Sequence, residues 1–163
     1  MCNIKLFIMD VDGTLTDGKL YIGNKGEVLK TFSIKDGLGI KKLLSHGIIP
    51  VILTGRTSEI VSYRANELGI SEVYQGFEDK LALLEELLEK HNCTFENIAY
   101  IGDDENDLSC MNRAHITGCP SNAVQSVKNL CTFCSKYKGG DGAVRDFIEY
   151  IILQQGLIDI KLK

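Results

Sequence analysis

The 163-residue sequence predicts an α/β fold: a largely parallel sheet sandwiched by helices, in a single domain over 1–163. Three observations predict it. Short β-rich apolar runs alternate with segments of helical periodicity. Polar residues of a distinctive kind, mostly aspartates, follow the ends of those runs. The length suits one domain with a small insert and is enough to bury a sizeable core.

The elements follow in order. Residues 4–9 read as a first buried strand. Residues 19–22 and 27–32 flank Gly23-Asn24-Lys25-Gly26, two β-rich runs around a Gly/Asn turn, and read as a hairpin. It is expected as an insert over about 18–33 of the chain. Residues 36–45 form a helix closed by Gly47, and 48–53 a second buried strand. Residues 57–68 form a helix capped by Thr57 or Ser58 and closed by Gly69. A short strand at 72–75 precedes a strongly amphipathic helix at 79–91, with leucines at 81, 84, 87 and 88. A strand at 97–101 leads into Gly102-Asp103-Asp104, a helix covers 104–112, and a short strand 115–118. A helix at 142–155 ends the domain.

Composition narrows the function. Hydrophobic residues make up 44% and charged residues 25%, as in ordinary soluble proteins. The formal net charge of -4 argues against non-specific binding of nucleic acid. No apolar run approaches the ~20 residues that span a bilayer; the longest cluster near the end is Tyr150-Ile151-Ile152-Leu153. Met1-Cys2-Asn3 runs directly into a strand-like segment, so no signal peptide and a cytoplasmic location are expected. The six cysteines, Cys2, Cys93, Cys110, Cys119, Cys131 and Cys134, are then expected as free thiols. Cys131 and Cys134 have the spacing of a zinc or redox pair, but a second ligand pair is missing.

In open parallel sheets, ligands bind beyond the carboxyl ends of the strands. Four such ends carry chemistry here: Asp10-Val11-Asp12, Thr54-Gly55-Arg56, Asp79-Lys80 and Gly102-Asp103-Asp104. Right-handed crossovers can bring all four to one edge of the sheet. Each residue alone has a bland explanation as a helix cap, a turn residue or a solvated helix lysine. Their joint placement at successive strand ends points to a site. Crowded carboxylates repel one another unless a cation lies between them. Oxygen-only donors, with no Cys or His nearby, favour Mg²⁺ over Zn²⁺. Asp10 and Asp103 are therefore expected as metal ligands.

This set, Asp10-Val11-Asp12-Gly13-Thr14, then Thr54, Lys80 and Asp103-Asp104-Glu105-Asn106-Asp107, resembles the four ordered motifs of the haloacid-dehalogenase superfamily. The resemblance covers essentially the whole chain. It implies a Rossmann-like, haloacid-dehalogenase-like domain with Asp10 as nucleophile, Asp12 as general acid and then base, and Thr54 and Lys80 holding the phosphoryl oxygens. It also implies an Mg²⁺ ion held by Asp10, the backbone carbonyl of Asp12, and Asp103. Asp107 would orient Lys80 or metal-bound water, with Asp104 a weaker candidate for the same duty. The hairpin, one helix and one strand leave no room for a cap domain.

Further stretches, "DVDGTLTDG", "FSIKDGLGIKKL", "ILTGRTSEIVSYRANELGI", "VYQGFEDK", "IAYIGDDENDL" and "KGGDGAVRDF", resemble the 3-deoxy-D-manno-octulosonate 8-phosphate phosphatase family. That resemblance implies a cytoplasmic enzyme of lipopolysaccharide synthesis. It implies a homotetramer whose core is built by the hairpin, with an adjacent subunit helping to close the active site. The small-molecule substrate would be a sugar acid phosphate. By motif matching it would touch Asp12, Ser33, Ile34, Lys35, Asp36, Gly37, Lys41, Thr54, Gly55, Arg56, Arg64 and Lys80. The basic residues in that set suit a ligand carrying both carboxylate and phosphate. Asp141 stands where many members have a basic residue, which sets that position apart from the family pattern.

Two other readings remain open. Close relatives act on nine-carbon, sialic-type sugar acid 9-phosphates; Arg56 after Thr54-Gly55 favours the eight-carbon substrate. A non-catalytic tetramerisation module is the alternative from another class. The presence of Asp10, Asp12, Lys80 and Asp103 speaks against it.

Overall fold

A computed structural model describes residues 3–157. Cys2 and the two ends of the expected domain lie outside the described residues. Six strands form one parallel sheet. They are β1 (Leu6–Met9), β4 (Ile49–Thr54), β5 (Glu72–Gln75), β6 (Ile98–Ile101), β7 (Ile116–Cys119) and β8 (Phe133–Cys134), in spatial order β5-β4-β1-β6-β7-β8. A separate antiparallel hairpin, β2 (Tyr21–Gly23) with β3 (Gly26–Leu29), follows β1. The helices are α1 (Ile34–Ser45), α2 (Glu59–Leu68), α3 (Lys80–Lys90), α4 (Leu108–Met111), α5 (Gln125–Leu130) and α6 (Ala143–Gln154). No separate cap domain occurs among the described residues.

The central strands β1, β4, β6 and β7 are buried on both faces, and their side chains alternate between two cores. Phe7, Met9, Ile52, Ala99 and Ile101 face α1, α2 and α6, where Ile40, Leu43, Val61, Ala65, Phe147 and Ile148 complete one cluster. Leu6, Ile8, Val51, Leu53, Ile98 and Tyr100 face α3, α4 and α5, with Leu83, Leu84, Leu87, Met111 and Val127. Each fully buried Leu, Ile or Phe in these layers contributes roughly 1.5–3 kcal/mol of transfer free energy. Gly39 lets α1 and α6 approach closely, since a Cβ there would meet Arg145 Cδ at 2.9 Å and Ile148 Cδ1 at 3.1 Å.

The helix ends explain most boundary differences. Ser33 caps α1 by accepting from the Lys35 amide, so the helix begins two residues before the expected 36. Ser58 sits at the start of α2 but makes no cap bond, because its hydroxyl donates to Glu27 of the hairpin. Gly69 closes α2 in the left-handed conformation, φ 76°. Asp79 caps α3 through the Ala82 amide. The expected helix over 104–112 is split into a 3₁₀ turn at Glu105–Asp107 and the short α4. A reciprocal cap between Asp104 and Asp107 tightens that first turn. The segments α5 and β8 carry no expectation from the sequence.

Strand order positions the site. With β1 central and β4 and β6 beside it, the loops after Met9, Thr54 and Ile101 emerge next to each other. The Asp10 amide donates to the Ile101 carbonyl at 3.1 Å, which fixes the end of β1 against the end of β6.

Candidate active site

Asp10 leaves β1 and is 5% exposed. Its Oδ1 accepts from Lys80 Nζ at 2.6 Å. Lys80 is the first residue of α3 and is 2% exposed. It also donates to Asp107 Oδ1 at 2.8 Å. Burial pulls the Lys80 ammonium toward neutrality, but the charges of Asp10 and Asp107 outweigh it and leave its pKa raised. A lysine with two carboxylate partners stays charged and keeps one geometry.

Asp107 is fully buried and its oxygens are already engaged. Oδ1 takes the Lys80 ammonium and the Tyr100 hydroxyl, the latter at 2.8 Å. Oδ2 takes the Asp103 amide at 3.1 Å and the Asp104 amide at 3.5 Å. Asp103 stands half-buried beside it, with Thr14 Oγ1 donating to its Oδ1 at 3.1 Å. One carboxylate oxygen each from Asp10, Asp103 and Asp107 lies within 4.8 Å of the other two.

This arrangement strains its carboxylates. Burial, then the charge of Asp107, pushes Asp10 up to about 8 despite Lys80. Burial and Asp107 likewise push Asp103 up to about 7, opposed by the Thr14 bond. A hard divalent cation relieves that repulsion, and the all-oxygen donor set suits the magnesium type. Asp10 and Asp103 have oxygens left to offer it. Asp107 does not, so its place is to orient Lys80 and the Asp103 backbone.

Gly13 makes this proximity possible. Its φ of 93° lies in the region that favours glycine, and a Cβ would fall 2.0 Å from Asp103 Oδ2. The turn is also clamped from outside. The Gly140 amide donates to the Thr14 carbonyl at 3.1 Å, and a Cβ on Gly139 would sit 1.8 Å from the Gly13 carbonyl oxygen.

Asp12 faces the cleft from that turn. Its Oδ1 accepts from Lys30, and its Oδ2 lies 3.6 Å from Arg56 Nε. The cleft is lined by Asp10, Asp12, Thr54, Gly55, Arg56, Asp104 and Asn106. Thr54 ends β4 and is buried, while Arg56 is exposed. Asp104 caps its own turn by accepting from Glu105 N at 2.7 Å, and lines the mouth.

The other residues matched to substrate lie elsewhere. Ile34, Gly37, Lys41 and Arg64 line a shallow depression between α1 and α2, together with Glu67. Ser33 caps α1, and its carbonyl accepts from Arg64 Nη2 at 3.5 Å. Lys35 is exposed, near Gly142. The Asp36 side chain is 1% exposed and accepts from the Arg145 amide at 2.8 Å, at the start of α6. Its carboxylate is spent on the fold rather than offered to the cleft. Arg145 itself pairs with Glu149 at 2.6 Å, and Asp141 is exposed.

Lys30, Glu27, Tyr100 and Asn106 belong to the site or its support without being singled out by sequence reasoning. Tyr100 had a signal, because a tyrosine in the middle of a buried strand needs a partner for its hydroxyl. Lys30 had none, since its partner Asp12 lies 18 residues upstream in another loop. Cys93, Cys110, Cys119, Cys131 and Cys134 are free thiols, as expected.

Comparison with known proteins adds to the geometry. A family model described as haloacid dehalogenase-like hydrolase matches residues 57–148. The chain is 41% identical to the 3-deoxy-D-manno-octulosonate 8-phosphate phosphatase of Yersinia pestis over 96% of its own length and 84% of the relative. It is 40% identical to the Escherichia coli K12 enzyme of the same name, over the same shares. The crystal structure of the Yersinia pestis enzyme superposes with a TM-score of 0.92, 41% identity, and coverage of 95% of this chain and 84% of that one. The Moraxella catarrhalis enzyme, solved with a magnesium ion, a phosphate ion and a KDO molecule, superposes at 0.90 with 41% identity over 94% and 88%.

Proposed function

The chain belongs to the haloacid dehalogenase-like hydrolases, in the 3-deoxy-D-manno-octulosonate 8-phosphate phosphatase family, and on that premise we propose that it hydrolyses this eight-carbon sugar acid phosphate to the free sugar acid and phosphate. One observation carries the reading: Asp10 lies 2.6 Å from a buried Lys80, in one cleft with Asp12, Thr54 and Arg56. It is an enzyme, a phosphoric monoester hydrolase, and Mg²⁺ is its cofactor.

Asp10 attacks phosphorus and forms an acyl phosphate, while the bond from phosphorus to the sugar oxygen breaks. Asp12 gives its proton to the leaving oxygen, so the sugar departs as an alcohol. Asp12, now a carboxylate, takes a proton from water, whose oxygen attacks the phosphorus of the acyl phosphate. Phosphate leaves and Asp10 is restored. Lys80 and Thr54 bind the phosphoryl oxygens, and Lys80 balances charge as it moves from ester to enzyme. Asp10, the Asp12 carbonyl and Asp103 would hold Mg²⁺, which when bound would supply charge neutralisation between the attacking carboxylate and the phosphate dianion.

Arg56 at the cleft mouth provides a fork for the substrate carboxylate. It favours the eight-carbon acid over the nine-carbon alternative. The depression holding Ile34, Gly37, Lys41 and Arg64 serves the cleft of an adjacent subunit in a homotetramer. The whole chain acts as one domain with the hairpin as its insert. No helix among the described residues is long and apolar enough to cross a membrane.

The test is phosphate release from a panel of eight- and nine-carbon sugar acid phosphates, with and without Mg²⁺. The eight-carbon ester should turn over fastest, and chelation should abolish release. Asp10→Asn should lower kcat by at least about a thousandfold while the far-UV spectrum is unchanged. Substantial turnover by Asp10→Asn would exclude the covalent route.

A further inference from the structure

We propose that Lys30 is a positioning residue for the Asp12 carboxylate, so that the β2–β3 hairpin sets the proton-transfer geometry of the site; the inference rests on the acid–base reading of Asp12 above. Lys30 immediately follows β3. Its side chain is only 2% exposed, so it supports the cleft without touching substrate. Its ammonium binds two carboxylates at once: Asp12 Oδ1, and Glu27 Oε1 at 2.9 Å. Glu27 uses its other oxygen to accept from the Ser58 hydroxyl. Ser58 is anchored in turn, because its amide donates to Gln75 Oε1 at 2.8 Å on β5.

A continuous line of polar contacts therefore runs from the main sheet, through the start of α2 and the hairpin, to Asp12. Each link holds a single atom of the next. Glu27 alone would satisfy Lys30 as a structural pair; the second bond goes instead to the group that must meet the leaving oxygen. Because Glu27 also binds the ammonium, Lys30 is held in place and gives Asp12 Oδ1 a fixed donor. Arg56 touches the opposite oxygen of Asp12, but from an exposed side chain and at 3.6 Å. Lys30 is thus the rigid member of the pair. A general acid works only within hydrogen-bond reach of its target, and a misplacement of about 1 Å can lose a hundredfold in rate.

The test uses leaving groups of different need. A sugar alkoxide departs poorly without a proton, whereas nitrophenolate departs without one. Lys30→Met keeps the apolar stem and removes the charge. With Mg²⁺ present, kcat on 3-deoxy-D-manno-octulosonate 8-phosphate should fall about tenfold or more while KM stays within about twofold. The first-turnover burst from p-nitrophenyl phosphate should stay within about threefold of wild type, followed by slower steady turnover, because acyl phosphate hydrolysis also needs Asp12. Added to Asp12→Asn, Lys30→Met should cause no further loss on the sugar ester. Glu27→Gln, which preserves shape, should show the same contrast with smaller amplitude.

Equal losses in the first turnover of both esters, or a loss additive with Asp12→Asn, would overturn the inference and leave the phosphatase reading standing. If Asp12→Asn alone slows both burst phases equally, the acid–base reading itself fails and takes the inference with it.

Discussion

Asp36 holds a carboxylate out of water at the junction of α1 and α6. Burial pushes its pKa from the ordinary 3.8 up to about 6, although the Arg145 amide bond works the other way. A folded pKa above the unfolded one means that folding favours the protonated acid. Its contribution to stability is therefore complete below pH 4 and is lost as pH rises through 6. Asp36→Asn removes that titration while keeping an oxygen for the Arg145 amide. Its stability relative to wild type should climb between pH 4 and pH 7, by on the order of 2–3 kcal/mol. Urea unfolding of both proteins at the two pH values measures it. A difference that does not move with pH would mean that the carboxylate is not held as described. At this scale the sequence conveys Asp10, Asp12, Thr54, Lys80 and Asp103, because their chemistry is tied to strand ends. It conceals Lys30 and the turned-in carboxylate of Asp36, because only tertiary packing chooses their partners.

Elements with strong periodicity and clear stops are legible in the same way. The strand over 72–75 agrees with β5 to the residue, and the leucine pattern of 79–91 marks α3 within a residue at each end. The six residues of α5 and two of β8 are too short to show a period; β8 is placed by pairing with β7, and α5 by packing Val127 into the same core as Cys119. The loop before α6 is a similar case. Its Gly139-Gly140 pair reads as a glycine-rich family element, yet its physical duty appears only in three dimensions, where it presses on the turn that carries Asp10 and Asp12. A methyl group at Gly139 must displace the Gly13 carbonyl, so Gly139→Ala should destabilise the fold by about 1–3 kcal/mol. It should also cut kcat about tenfold or more by moving Asp10 and Asp12. Gly47 provides the contrast, with φ 75° and open space around its Cβ position. Gly47→Ala should lower stability by about 1 kcal/mol through backbone strain and leave kcat unchanged. Thermal melts and turnover on the two variants separate strain from displacement. Equal kcat values would show that the clamp has no grip on the turn.

The molecule as a whole presents apolar surface that one copy leaves uncovered. In the hairpin, Leu20, Ile22, Val28 and Leu29 are 48%, 68%, 62% and 48% exposed. A two-stranded ribbon has little stability of its own, and this one is not paired with the main sheet. The depression between α1 and α2 is lined by Ile34, 82% exposed, and holds basic residues with no place in their own cleft, while Tyr63 on α2 is 77% exposed. The proposed homotetramer, built on the hairpins, would join these facts: it would cover the ribbon and carry one chain's α1–α2 face toward another chain's Asp10 and Asp12. Ile22→Asp places a charge on the ribbon without touching the cleft. Light scattering should report four times the 18.1 kDa chain mass for wild type and a smaller species for Ile22→Asp. The smaller species should keep the nitrophenolate burst, because Asp10, Lys80 and Asp103 lie together within one chain. Its KM for the sugar acid phosphate should rise about tenfold, as the basic residues that grip the sugar acid are withdrawn. A wild-type monomer with full activity, or an Ile22→Asp monomer with unchanged KM, would place substrate selection inside the single chain, and Arg56 would then have to supply it alone.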